Sequence, residues 1–360
     1  MDFEVRKDDL HETRVVDAPG AEAGDGQARL AVRRFGLSAN NITYAVFGDM
    51  MGYWSFFPAE DGWGRIPVWG FAEVVEANGS GLEEGDRYYG YLPMGDELLV
   101  APERLGDHGF TDGSPHRAGL PPAYNGYARC ATDPVYTPET EALQMLFRPL
   151  FMTDFVLDDW LADGDFGGAG TSGDAAVVLS SASSKTAFGL AHLLSAREER
   201  PQVVGLTSAS NVDFVHDLGV YDRVLTYDDV DGLLADAPTT YVDMAGDTGV
   251  RKAVHERVRG LVSSVSVGGT HWREVGSGGD LPGPRPTLFF APDQIVKRRA
   301  DWGPGGVETR FAAAWQAFLP VVEDWITVVE RDGPDGVEQT YREVLDGHAD
   351  PSHAFVLRIG

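Results

Sequence analysis

Between residues 180 and 187 the chain reads Ser-Ser-Ala-Ser-Ser-Lys-Thr-Ala, small hydroxylated residues and one lysine set between two apolar stretches. Ser181, Ser184 and Ala187 fall where a nucleotide-binding strand–turn–helix carries three glycines. Glycines there serve tight chain reversal, close approach of backbone to a pyrophosphate, and packing of helix on strand. All three substitutes are small, so the steric demand can still be met. The helix that follows offers its N-terminal N–H groups and dipole to a phosphate. Ser183, Ser184 and Thr186 add hydroxyl donors, and Lys185 adds a cation. The same residues also read as an ordinary strand–turn–helix with a serine-rich cap. A triphosphate loop fails as a reading, because Ser184 replaces the glycine before the lysine and the opening glycine is absent.

The next apolar run, Val203–Thr207, ends in Thr207, Ser208, Ser210 and Asn211, with no carboxylate. An acidic residue at this point grips an unmodified adenosine ribose, whereas hydroxyls tolerate a 2′-phosphate that a carboxylate would repel. The expected cofactor is therefore NADP(H), although a polar helix cap would look the same.

Strands and helices alternate around this turn. Apolar runs AAVVLS, QVVGLTS, TTYVDMAG, LVSSVSVGG and TLFFAP are separated by KTAFGLAHLLSARE, NVDFVHDLG and GVRKAVHERV. That pattern predicts a doubly wound parallel sheet with both faces covered. Residues 28–135 differ, with short apolar runs broken by Gly, Pro and Asn, which predicts a β-rich, barrel-like domain. A helix is expected from the Thr137-Pro138-Glu139 start signal, another over 308–330, and a closing strand in HAFVLRIG. The boundaries expected are 1–138 with 306–360 for the barrel and substrate domain, and 139–305 for the dinucleotide-binding domain.

The chain has 360 residues, 43% of them hydrophobic, enough for two real cores. A net charge of −27 disfavours nonspecific association with nucleic acid or anionic membrane. Of the 29 basic residues only Lys7, Lys185, Lys252 and Lys297 are lysines. Such acidity fits a solvated surface, a high-salt interior or an arginine-favouring genome. A single cysteine, Cys130, rules out an internal disulfide and a thiolate zinc cluster, and a cytoplasmic setting is expected. The N-terminus is charged, with no apolar signal region, and no run of some 18 apolar residues predicts a membrane span.

Taken in order, these segments resemble the medium-chain dehydrogenase/reductase superfamily. NNITYAVFGDM resembles its N-P-x-D segment, and IPVWGFAEVVEANGSGLEEGDRYYGYLPMGDELLVAP its P-G-H-E…GDRV…AEY run. VVGLTSASNVDFVHDLGVYDRVLTYDD resembles its second-strand region, and VLDGHADPSHAFVLRI its closing segment. LSSASSKTAFGLA with APDQIVKRRADWG is closer still to an uncharacterised subgroup. The resemblance implies a GroES-like β-barrel domain beside a Rossmann domain. It implies no catalytic zinc, because Phe71 stands at the ligand histidine and Tyr44 at the first ligand position, as in the quinone and enoyl reductase branch.

It also implies roles for particular residues. Without a metal, a carbonyl or enone oxygen needs a donor such as Tyr, Ser or His. Tyr44 occupies the position of the family's polar residue, with Tyr53 nearby, though both could be core tyrosines. His271 follows a strand-end turn expected near the nicotinamide and could act as acid or base, or be a loop histidine with one hydrogen bond. Met244, Ala245 and Gly246 at one strand end, and Val267, Gly268 and Gly269 at the next, would line the nicotinamide half. Tyr227 would lie at the adenosine phosphate edge. Tyr53, Trp54, Phe56, Phe57, Trp63 and Trp69 read as an apolar substrate wall or an aromatic core. The reading is an NADP(H)-dependent, zinc-free reductase of a small activated carbonyl or enone, with a homodimer expected by analogy; a non-catalytic NADP(H)-binding sensor of the same fold is the alternative.

Overall fold

Five apolar, β-branched runs of the second half become strands of one six-stranded parallel sheet in the computed structural model, which describes residues 1–17, 20, 22–171, 173–267 and 281–360. In spatial order they are Arg223–Thr226, Gln202–Thr207, Ala176–Leu179, Thr239–Asp243, Leu261–Val267 and Thr287–Phe289. Counted along the chain this is the order 3-2-1-4-5-6 of a doubly wound sheet. Ala176–Leu179 pairs Val177 with Val203 on one side and with Thr240 on the other. All four of its residues are buried, as a central strand covered on both faces requires.

Helix Lys185–Ser195 lays Ala187, Phe188, Leu190, Ala191 and Leu194 into the core, with the Ser184 side chain accepting from the Ala187 N–H as its cap. This unit runs from Leu150 to Trp325. Helix Gly306–Trp325 belongs to it through Phe151, which stacks on Phe318 at 4.3 Å between centroids and also meets Phe311 and Trp315. That aromatic packing places the helix outside the barrel segment 306–360 expected from the sequence.

The other unit comprises Met1–Pro149 and Ile326–Gly360. Its nine-stranded sheet is mainly antiparallel, with Pro67–Glu76 between Ala28–Leu37 and Arg87–Pro93; a three-stranded sheet is built on Asp2–Arg6. The core gathers Phe3, Leu30, Phe35, Phe56, Val68, Tyr91 and Tyr341, among others. The helix expected over 308–330 stops at Trp325, and Thr327–Asp332 pairs in parallel with the closing strand His353–Arg358. Its Thr-Val-Val start favours extended backbone once a strand is there to receive it.

Candidate functional site

In a sheet of this order, neighbouring crossovers diverge between the first strand, Ala176–Leu179, and the fourth, Thr239–Asp243. Ligands bind in the crevice beyond the carboxyl ends of such a pair. Ser180 and Ser181 leave the first strand at that point. Ser181 has φ +52°, the left-handed conformation that glycine adopts most easily. Its N–H donates to the Tyr227 hydroxyl at 3.0 Å, which secures the turn from the side. The Tyr221 hydroxyl donates to the Ala182 carbonyl at 2.9 Å. Serine thus does here what a glycine does elsewhere, with two tyrosines bracing the strained segment.

Ser183 ties this turn to the end of the second strand. Its Oγ accepts from Asn211 Nδ2 at 3.0 Å and from Thr207 Oγ1 at 3.5 Å. Ser208 and Ser210 share a hydrogen bond of 2.9 Å. The first carboxylate beyond them is Asp213, exposed in helix Val212–Asp217. Lys185 and Thr186 open the helix whose cap is Ser184. The expected phosphate-facing residues Ser181, Ser183, Ser184, Lys185, Thr186, Thr207, Ser208, Ser210 and Tyr227 therefore cluster on adjoining strand ends of one sheet.

Sequence reading missed the groups that hold the opposite lip. Ser180 is buried, donates to Asp243 Oδ1 at 2.9 Å, and accepts from the N–H groups of Met244 and Ala245 at 3.0 Å each. Asp243 Oδ1 also accepts from the Gly246 N–H at 2.9 Å, while Oδ2 takes Arg251 Nε at 2.8 Å. The only hint in the sequence is a charged residue closing an apolar strand, in YVDMAG. Val267 ends the fifth strand and is buried; Gly268, Gly269 and His271 lie outside the described residues.

In the Met1–Pro149 unit, Tyr44 sits on helix Ala39–Val46. Its hydroxyl accepts from Asn40 Nδ2 at 2.8 Å and Trp69 Nε1 at 3.3 Å. Both bonds are received, so the phenol's own proton is spent on neither. Burial is the main cause that pushes its pKa up to about 12, so the ring stays a phenol at neutral pH. Tyr53 packs against Tyr44, centroids 4.7 Å apart, and its hydroxyl shares a bond with Tyr124 at 3.3 Å. These rings, with Phe56 and Phe57, belong to a continuous core. Trp54 also borders a concavity of about 400 Å³ with Lys7, Asp49, Ser55 and His116. Phe71 is fully buried against Tyr89 and Tyr136.

The fold is that of the medium-chain dehydrogenases/reductases, a GroES-like barrel unit joined to a Rossmann unit. CurA of Vibrio vulnificus, in a complex with NADPH, is similar over 97% of this chain and 94% of its own, with TM-score 0.59 and 13% identity. The quinone oxidoreductase of Coxiella burnetii is similar over 100% and 99%, with TM-score 0.58 and 14% identity. YhdH of Escherichia coli K-12, with bound NADPH, is similar over 100% of both chains, with TM-score 0.57 and 15% identity. Comparison with curated protein sequences finds no match. The family described as "Protein of unknown function (DUF2855)" matches residues 35–350, and the chain belongs to that family. No helix among the described residues is long and apolar enough to cross a membrane.

Proposed function

We propose that this chain binds NADP(H) at the carboxyl ends of its parallel strands and, without zinc, reduces an activated carbonyl or a conjugated double bond of a small molecule. The observation that carries this reading is the serine turn in the crevice between the first and fourth strands, tied through Ser183 to a strand end of hydroxyls and an amide. Those residues fit a dinucleotide with a 2′-phosphate. Ser183, Ser184, Lys185 and Thr186 would hold the pyrophosphate, Thr207, Ser208, Ser210 and Asn211 the 2′-phosphate, and Tyr227 the adenosine edge. Met244, Ala245, Gly246, Val267, Gly268 and Gly269 would border the nicotinamide. The bound nucleotide supplies the hydride.

Tyr44 would give its proton to the substrate oxygen, since its hydroxyl already receives two hydrogen bonds and stays protonated. Tyr53 and His271 are the further candidates for moving a proton. The zinc-free reading rests on side-chain chemistry, because the Phe71 ring offers no lone pair to a metal. Two chains would pair through the outer strand Thr287–Phe289, which exposes Leu288; a monomer mass in light scattering rejects that pairing.

A specific observation favours the sensor reading as the second choice: Tyr44 is only 6% exposed, deep for a group that must meet substrate. Calorimetric titration with NADPH, NADH and ATP at low and high salt tests both. Selective NADPH binding is the expected result, and folded protein that binds none of the three refutes both readings. Turnover in a carbonyl and enone screen then separates reductase from sensor.

A further inference from the structure

The crevice has two lips, and only one carries the serine turn. In this sheet order the adenosine side falls over the first and second strands, so the other half of a dinucleotide must run over the fourth and fifth. At the end of the fourth strand three backbone N–H groups in succession, those of Met244, Ala245 and Gly246, are all bound by two buried side chains, Ser180 and Asp243. Ser180 belongs to the first strand's end, so its 2.9 Å bond to Asp243 spans the switch point itself.

Arg251, on helix Thr248–Arg257, places Nε and Nη2 each 2.8 Å from Asp243 Oδ2. Both carboxylate oxygens are thereby saturated. A buried ion pair of this kind contributes little net stability over an apolar pair of equal size, whereas it fixes geometry closely. With these N–H groups engaged by Ser180 and Asp243, the turn has no such donor left to offer a ligand, only its carbonyl acceptors.

We propose that Ser180, Asp243 and Arg251 are positioning residues for the nicotinamide half of the cofactor, acting through the backbone of Met244–Gly246. This rests on the NADP(H) reading above. The network sets which edge of the turn a ligand meets: hydrogen-bond acceptors, suited to a donor such as a carboxamide N–H₂. Its hydrogen bonds are separate from those of the adenosine side, where Ser183, Thr207 and Asn211 form their own cluster.

The test compares NADPH with 2′,5′-ADP, which carries the phosphorylated adenosine half alone, by calorimetry on the full chain. Wild type is expected to bind both. Ser180→Ala and Asp243→Asn are expected to weaken NADPH about tenfold or more while changing 2′,5′-ADP less than about twofold. Arg251→Lys keeps the charge and loses the planar fork; it should show the same selective loss in smaller measure, and it serves if the other two do not fold. A purely structural role would not separate the two ligands. Folded variants that keep wild-type NADPH affinity, or that lose both ligands in parallel, overturn the proposal. Wild type that binds 2′,5′-ADP but gains nothing from the nicotinamide half overturns it as well, and leaves the nucleotide site standing. Wild type that binds neither ligand refutes the NADP(H) reading and this proposal together.

Discussion

Asp154, in helix Glu141–Asp163, is 1% exposed, and neither of its oxygens has a hydrogen-bond partner among the described residues. Its proton affinity is raised well above the usual carboxylate range, by burial first and by nearby Asp158 second. The group thus holds its proton to a higher pH than an exposed carboxyl does, in an apolar setting. An unsatisfied buried polar group costs about 1–3 kcal/mol, and leucine has the same branched shape. Asp154→Leu should therefore stabilise the protein by about 1–3 kcal/mol from this source alone, near pH 4, before the cost of holding the proton is added. The sign of the pH dependence follows from the raised pKa. Folded protein keeps a proton that the unfolded chain, near 3.8, has released, so wild type loses this group's contribution as pH rises from 3.8 toward the folded value. The advantage of Asp154→Leu should grow by up to about 1.4 kcal/mol per pH unit over that range. Urea unfolding followed by tryptophan fluorescence at pH 5, 6, 7 and 8 measures it.

A second arm uses Gly189, where an added Cβ would sit 2.2 Å from Asp154 Oδ2. Gly189→Ala should destabilise the wild type. After Asp154→Ala has removed the carboxyl, the same change should be neutral or stabilising by up to about 1 kcal/mol, the helical advantage of alanine over glycine. A pH-independent difference for Asp154→Leu, or strict additivity of the two alanine changes, would refute the assignment of Asp154 as a buried neutral acid against the Gly189 backbone.

The remaining predictions concern the turn and its surroundings. Ser181→Val, a β-branched residue at φ +52°, should cost about 1–3 kcal/mol in urea unfolding, while Ser181→Gly should shift stability by no more than about 1 kcal/mol either way. Tyr44→Phe leaves the Trp69 N–H without its acceptor, so a loss of about 1–2 kcal/mol is expected on structural grounds alone. In a reductase assay it should also lower kcat, and unchanged turnover removes Tyr44 from the chemistry. His255 donates from Nδ1 to the Pro282 carbonyl and accepts at Nε2 from Ser264, each at 2.9 Å, and burial holds its pKa below 6.5. Its contribution is present above 6.5 and lost as pH falls through the lowered value. The drop in Tm from pH 7 to pH 5 should be smaller in His255→Asn, and an equal drop in both refutes that role.

Periodicity made the parallel sheet legible. Runs such as AAVVLS and QVVGLTS carry unbroken non-polar stretches, Ala175–Leu179 and Val203–Leu206, because both faces of a central strand are covered, and they fall where Ala176–Leu179 and Gln202–Thr207 lie. The segment after Trp325 was not legible in the same way. Thr327–Asp332 alternates weakly, with all of its residues exposed or half-exposed, and the strand it pairs with lies beyond an intervening helix, Gly333–Leu345. At the site, the small residues of the turn were visible because they depart from a glycine pattern in a fixed order. The Ser180–Asp243 bond was not, since it joins residues 63 apart and depends on two strands becoming neighbours. Tyr44 was visible as a residue type, but its enclosure by Trp69, Tyr53, Tyr91 and Tyr124 is a tertiary fact.

The division of the chain bears on how it is made. Leu150–Trp325 is a continuous segment, whereas the sheet around it is assembled from residues at both ends, with Val356 of the closing strand opposite Gly36. A ribosome therefore delivers everything the inserted unit needs before it delivers the strand that the first-made sheet is waiting for. Glu97–Val100 already covers Ala28–Ala31 on that side, so the N-terminal half must hold only the Phe35–Leu37 end of the strand unpaired through most of synthesis. An exposed, unpaired edge is where a sheet recruits the wrong partner. Loss of quality control during translation should harm this protein through that strand, long after its nucleotide-fold half is safely formed.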